Sequence, residues 1–174
     1  MDLKTKVRSI PDFPKQGVMF RDITTLISDA EAFEQVIDQF CLHFRKHEVT
    51  KVGVIESRGF IFGGPIALSL GVGIVPIRKK GKLPFDTIWQ TYDLEYGTGT
   101  LEMHKDAIGQ KDRVLIIDDL LATGGTAHAS IKLVEQLGAT VAGLGFLIEL
   151  TFLKGRDKLQ GYDLLTLIQY DSER

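Results

Sequence analysis

The chain is poor in the residues that staple small extracellular folds. Cys41 is the only cysteine among 174 residues, so no internal disulfide can form, and a reducing compartment is expected. An excess of charge of one sign is also missing. Lys and Arg total 21 against 23 Asp and Glu, a net charge of −2. No global field draws such a chain to nucleic acid or to an anionic membrane, so any anion must be held by a local patch. No internal repeat, charge block or Gly/Ser linker divides the sequence. The opening MDLKTKVRSI has mixed charge and no apolar h-region, so no signal peptide is expected. The long uncharged segment Phe60 to Ile77 is broken by four glycines and two prolines. A short buried helix, a turn and a buried strand are expected there, not a membrane span. A cytoplasmic protein is the expectation. Dedicated metal spacing is missing too. His43 and His47 share an i, i+4 face, but no third ligand is evident, and two such histidines are more often surface residues.

What is present suits one globular domain over residues 1–174. Hydrophobic residues make up 44% of the chain, enough for a sizeable core. Phe33, Val36, Ile37, Phe40, Cys41 and Phe44 recur at the spacing of one helix face, which predicts a helix over Glu31–His47. Ser28 and Glu31 would form its capping box. A second helix is expected from about Thr126 to Leu137, stopped by Gly138. Five short apolar runs fall outside these helices: 52–55, 73–77, 114–117, 141–150 and 164–168. Their continuous rather than alternating hydrophobicity predicts strands covered on both faces. The expected class is therefore α/β, a parallel sheet flanked by helices. Ligands of such sheets bind beyond the carboxyl ends of the strands.

Three strand ends carry chemistry. The first is VLIIDDLLATGGTA, Val114–Ala127. Asp118 and Asp119 follow the apolar run. Ala122, Thr123, Gly124, Gly125 and Thr126 then turn into the next helix. Glycines let backbone N–H groups approach an anion, and a helix N-terminus favours negative charge. The turn is not a Walker A loop, because no Gly-Lys-Ser/Thr follows, and the G-x-G-x-x-G spacing is missing. Carboxylates repel phosphate but accept well from sugar hydroxyls. A ribose 5-phosphate satisfies both halves. The second end is Ser57-Arg58-Gly59, where a planar cation opens a helix. The third is IRKKGKLPFDTIWQTYDLEYGTG. Arg78, Lys79, Lys80 and Lys82 crowd its start, and the aperiodic stretch after them is expected to be a mobile lid or hairpin.

The Val114–Ala127 string closely resembles the ribose-phosphate signature of the type I phosphoribosyltransferases, in the form carried by their adenine-using members. The segments at 10–26, 56–63, 77–84, 92–108 and 148–159 match the same family in order. The resemblance implies transfer of a phosphoribosyl group from 5-phosphoribosyl 1-pyrophosphate to adenine, giving AMP and pyrophosphate. It implies a type I phosphoribosyltransferase-like fold, with a small N-terminal hood at about 1–28 and a lid at about 78–100. It implies ribose and 5-phosphate contacts from Asp118, Asp119 and Ala122–Thr126. Pyrophosphate contacts would come from Ser57, Arg58, Arg78, Lys79, Lys82 and Tyr96, with a cis peptide joining Glu56 and Ser57. Met19, Phe20, Arg21 and Leu120 would meet the base. Glu95 is the implied acid/base residue and Arg58 a second catalytic group, and Glu102 would serve as a control outside the lid tip. Mg²⁺ held mainly through substrate and a homodimer are implied as well. A 6-oxopurine-using relative or a non-catalytic regulator that senses the phosphoribosyl donor are the alternatives. A regulator would need an added DNA-binding domain or a basic face, which this length and charge disfavour.

Overall fold

A computed structural model describes residues 1–93 and 97–173. Strand β3 (Lys51–Ile55), strand β4 (Gly73–Lys79), strand β7 (Arg113–Leu121), strand β8 (Thr140–Leu150) and strand β9 (Leu164–Tyr170) run parallel. Strands β5 (Thr87–Asp93) and β6 (Thr98–His104) add an antiparallel hairpin along β4. The result is a seven-stranded sheet of order β5-β6-β4-β3-β7-β8-β9. Its apolar strands are covered by helices, as their unbroken hydrophobicity requires. The basic run and aperiodic stretch thus end in paired strands, with the Lys80 ammonium 4.9 Å from the Trp89 ring.

Helix α2 (Ala30–Phe44) buries Val36, Ile37, Phe40, Cys41 and Phe44, the face its periodicity implies. A 3₁₀ turn, Arg45–His47, continues it. The cap differs from expectation. Ser28 closes the short helix α1 (Thr24–Ile27), and its hydroxyl donates to the Thr25 carbonyl at 3.1 Å. Asp29 caps α2 instead, accepting from Ala32 N–H at 3.2 Å, and Lys6 Nζ lies 2.6 Å from its other oxygen. A Ser already in helical conformation cannot take the extended geometry of an N-cap.

Helix α3 (Gly59–Leu70) and β4 occupy the uncharged run. The backbone of α3 lies so close to β3 that a Cβ at Gly63 would overlap the Val54 side chain. Helix α4 spans Gly125–Gln136, and Gly138 follows it with φ 77°. Strands β1 (Arg8–Ile10) and β2 (Phe20–Asp22) form a separate antiparallel pair in the N-terminal segment. Among the described residues no helix is long and apolar enough to cross a membrane.

Candidate active site

Strand β7 outruns its neighbour. Its pairing with β3 ends at Val54 opposite Ile117, whereas its pairing with β8 continues to Leu121 opposite Glu149. Asp118 and Asp119 therefore lie inside the strand rather than beyond it, held on the β8 side and open on the β3 side. A cavity of about 520 Å³ occupies that gap, within the range of small-molecule sites. It is lined by Ser57, Arg58, Lys79, Lys82, Asp118, Asp119, Leu120 and the whole turn Ala122–Thr126. Three separate strand ends thus converge on one volume. Ile55, Leu121, Ala127 and Phe146 supply its apolar floor.

The turn is built for close backbone approach. Gly124 has φ 79°, and a Cβ there would stand 2.5 Å from the Gly155 carbonyl oxygen. A Cβ at Gly155 would in turn overlap the Ala122 carbonyl. The Gly155 clasp is fixed from beneath. Arg156 makes a two-pronged ion pair with Glu149 at 2.6 and 3.0 Å, and Thr166 Oγ1 donates to the same carboxylate at 2.8 Å. The first α4 bond from the turn runs from His128 N–H to the Gly124 carbonyl at 2.9 Å. The N–H groups before it have no partner within the helix, which is the anion-binding geometry.

The two aspartates are electrostatically strained. Burial, then the adjacent Asp119 charge, pushes the Asp118 carboxyl well above the usual carboxylate range. Burial raises Asp119 as well, against the charge of Arg58, whose Nε lies 2.8 Å from Asp119 Oδ2. Asp119 N–H donates to Asp118 Oδ1 at 2.8 Å, which orients that carboxylate.

Glu56, at the cis Glu56–Ser57 peptide, organises the basic run. Its carboxylate accepts from Lys79 N–H at 2.5 Å and lies 3.2 Å from both Arg78 Nη2 and Lys82 Nζ. Burial raises this carboxyl, but these partners outweigh it and the net shift is downward. Arg78 itself does not line the cavity. Its guanidinium sits 6.0 Å from the Phe60 ring. Met19, Phe20 and Arg21 also lie outside the lining. Phe20 reaches its border, with the Arg58 guanidinium 5.7 Å from its ring. Met19 lines a hollow with Pro11, Asp12 and Gly17. The Arg21 side chain turns to Ser9 and stacks 3.8 Å from the Tyr170 ring centroid. Glu95 and Tyr96 lie outside the described residues.

Sequence reasoning missed Glu56, Tyr92, Phe146 and the Gly155 clasp. A lone acid after an apolar strand, facing a basic run, was the available signal for Glu56. Tyr92 meets the cavity because the β5 end packs on the turn: a Cβ at Gly125 would stand 3.1 Å from the Asp93 carbonyl. Nothing local distinguishes Phe146 from other core aromatics.

Residues 25–166 match the family model described as a phosphoribosyl transferase domain. The chain is 58% identical over 170 residues to the adenine phosphoribosyltransferase of Solibacter usitatus, covering 98% of each. The crystal structure of adenine phosphoribosyltransferase from Thermoanaerobacter pseudethanolicus superposes with a TM-score of 0.93 at 52% identity, covering 97% of this chain and 98% of that one. The Trypanosoma brucei adenine phosphoribosyltransferase, in complex with AMP, pyrophosphate and ribose-5-phosphate, gives a TM-score of 0.88 at 26% identity, covering 98% and 81%.

Proposed function

The chain belongs to the phosphoribosyl transferase family, and on that premise we infer how its cavity works. It transfers the 5-phosphoribosyl group of 5-phosphoribosyl 1-pyrophosphate to adenine, releasing AMP and pyrophosphate. The single observation that carries this assignment to particular residues is the placing of the Asp118–Asp119 pair and the Ala122–Thr126 turn on one cavity wall. A sugar phosphate has both halves that such a wall accepts.

The 5-phosphate docks on the N–H groups of the turn and on the Thr123 and Thr126 hydroxyls. The ribose hydroxyls donate to Asp118 and Asp119. Ser57, Arg58, Lys79 and Lys82 face the pyrophosphate, whose negative charge grows as its bond to C1 breaks. Positive charge then develops on the ribose ring, beside the two carboxylates. Arg78, tied to Glu56, positions the basic run and extends toward a second subunit in a homodimer. Leu120 and the Met19–Arg21 segment bound the base, with Phe20 against its ring and Leu120 on the cavity side. The N-terminal segment of about 1–28 is the hood, and the hairpin segment of about 78–100 is the lid that excludes water. Glu95, within that lid, manages the imidazole proton of adenine.

Mg²⁺ suits the site. It prefers oxygen ligands and binds through substrate phosphates with one or two carboxylates. The Asp118–Asp119 pair offers such oxygens, and their mutual repulsion is relieved by a cation. When bound, the ion neutralises charge on the pyrophosphate. The protein works in the cytoplasm. A spectrophotometric assay with the donor, Mg²⁺ and a panel of purine bases tests the reading. Adenine should be consumed in preference to hypoxanthine, guanine and xanthine. AMP formation that fails altogether would favour a regulator, and preferential use of a 6-oxopurine would change the base.

A further inference from the structure

Three side chains that the cavity does not use converge beside the start of β9. His43 lies in the last turn of α2, His47 in the following 3₁₀ turn, and Asp163 just before β9. Their ligand atoms all lie within 4.8 Å of one another. The Nε2 atoms of His43 and His47 stand 2.8 and 2.6 Å from the same Oδ2 of Asp163. The two imidazoles stack, with centroids 5.6 Å apart and planes at 21°. Sequence spacing supplies the histidine pair; only the fold brings in the third group, across more than a hundred residues.

We propose that His43, His47 and Asp163 form a binding site for a borderline divalent cation, Zn²⁺ foremost, distinct from the phosphoribosyl cavity. Two imidazoles and one carboxylate are a donor set for such ions, whereas Mg²⁺ and Ca²⁺ favour oxygen alone. Ligands about 2.0–2.2 Å from a tetrahedral ion stand about 3.3–3.5 Å apart. The two nitrogen–oxygen separations, 2.8 and 2.6 Å, are shorter than this and the whole set lies within 4.8 Å, so side-chain rotations that open the contacts by under 1 Å (about 0.5–0.9 Å) admit an ion.

The backbone of the site is already held. The Asp163 carbonyl accepts from Leu144 N–H at 2.8 Å, and the His47 carbonyl accepts from Arg113 Nε at 3.0 Å. Phe44, fully buried, meets both imidazoles edge-on at 4.7 and 5.4 Å. Two imidazole nitrogens stand against one carboxylate oxygen, and metal binding displaces protons from such ligands. The Asp163 and His43 side chains are 39% and 32% exposed, so water can complete the coordination. His47 Nδ1 is buried without a partner among the described residues. A ligating His without an orienting acceptor binds about 10–100-fold more weakly than a supported one, so this site binds less tightly than one with a complete outer shell. The ion would tie the end of α2 to the start of β9.

The test uses the full chain, freed of metal by chelator and kept in millimolar Mg²⁺ to occupy the cavity carboxylates. Zn²⁺ is titrated calorimetrically, and Co²⁺ is followed by its visible absorption. One equivalent should bind the parent chain and raise its Tm by about 5–10 °C at a hundredfold excess over Kd. His43→Gln and Asp163→Asn should each weaken binding at least tenfold, while Asp119→Asn leaves it unchanged. Imidazole proton resonances of His43 and His47 should move with Zn²⁺, a readout that survives any loss of stability in the variants. Absence of stoichiometric binding, binding indifferent to His43→Gln and Asp163→Asn, or binding lost in Asp119→Asn would overturn the proposal. AMP formation with Mg²⁺ alone should be the same in the parent and in His43→Gln.

Discussion

Arg58 Nε and Asp119 Oδ2 stand 2.8 Å apart, so the cation assigned to pyrophosphate and a carboxylate assigned to ribose hold each other in the free protein. The pair keeps Asp119, 6% exposed, from being an uncompensated buried charge. Donor binding must exchange it for contacts on both sides. Asp118 has no such cation as its main partner, and burial together with the Asp119 charge pushes it well above the usual carboxylate range.

Asp118→Asn should therefore stabilise the free protein and damage the enzyme. The sign follows from the raised folded-state pKa, against 3.8 unperturbed. An acid with a raised folded pKa favours folding while protonated, and that benefit is lost as pH climbs above the unfolded value. At neutral pH only the cost remains, and asparagine removes it while keeping an acceptor for Asp119 N–H. Thermal unfolding at pH 7–8 should show a Tm higher by about 2–8 °C, corresponding to about 1–2 kcal/mol. On the proposed binding mode, in which this carboxylate faces the developing ribose charge, turnover per KM should fall by about 10²-fold or more. An unchanged or lower Tm across that pH range would remove the electrostatic argument.

Glu56→Gln should loosen the basic run. Glutamine keeps an acceptor for Lys79 N–H but loses charge opposite Arg78 and Lys82. Arg78 Nε already lacks a partner, among the described residues, in a buried position. A loss of about 1–3 kcal/mol is expected, the usual cost of leaving a buried polar group unsatisfied, since Arg78 and Lys82 are partly exposed and water offsets the lost charge. Because Lys79 and Lys82 line the cavity, KM for the phosphoribosyl donor should rise more than kcat falls. Steady-state kinetics with a fixed saturating level of adenine separates the two. An unaltered donor KM would mean that Glu56 acts on stability alone.

The sheet was readable because each core strand is apolar without alternation, and the site because its strand ends carry paired acids, a Gly-rich turn and basic residues. Less was readable where distant residues decide the outcome. Asp118 and Asp119 look like residues beyond a strand until β8 is seen to pair past them. The Ser28 cap failed because α1 claims that residue first. Asp163 is invisible as a partner for His43 and His47, since a ligand separated by more than a hundred residues leaves no spacing signal. Gly155 reads as an ordinary turn glycine until its approach to Ala122 is known.

Acid unfolding should report on the N-terminal pair of strands. The Asp22 carboxyl is pulled down to about 2, first by Thr24 N–H, then by Arg8 and the Thr24 hydroxyl. Its folded pKa lies below the unfolded value of 3.8. The stability it contributes is therefore fully present above the unfolded value and is lost as pH falls from there toward 2. Asp22→Asn should lower Tm at pH 6 and flatten the acid limb of the Tm profile between pH 4 and about 2. A parallel downward displacement with an undiminished acid limb would assign that limb to other carboxyls.

The acid/base role proposed for Glu95 concerns one proton. Adenine attacks C1 through a ring nitrogen that must be free of hydrogen, and the reverse reaction expels neutral adenine more readily when the imidazole portion is protonated. One carboxyl group serves both directions by microscopic reversibility. Glu95 lies outside the described residues, but Tyr92 lines the cavity and Asp93 packs on the Gly124–Gly125 turn. Glu102, which looks like a natural control in the sequence, is unsuitable. It is 4% exposed and accepts from Lys82 N–H at 2.9 Å and Leu83 N–H at 2.8 Å, so its loss would disturb the turn below the hairpin. Glu34, exposed on α2, is the better control. Glu95→Gln should lower kcat by about 10²–10⁴-fold, the usual worth of a positioned proton-transfer group. Donor affinity should stay within a few-fold, because the ribose and phosphate contacts are elsewhere. Wild-type turnover in Glu95→Gln would end the acid/base assignment, as would an equal loss in Glu34→Gln.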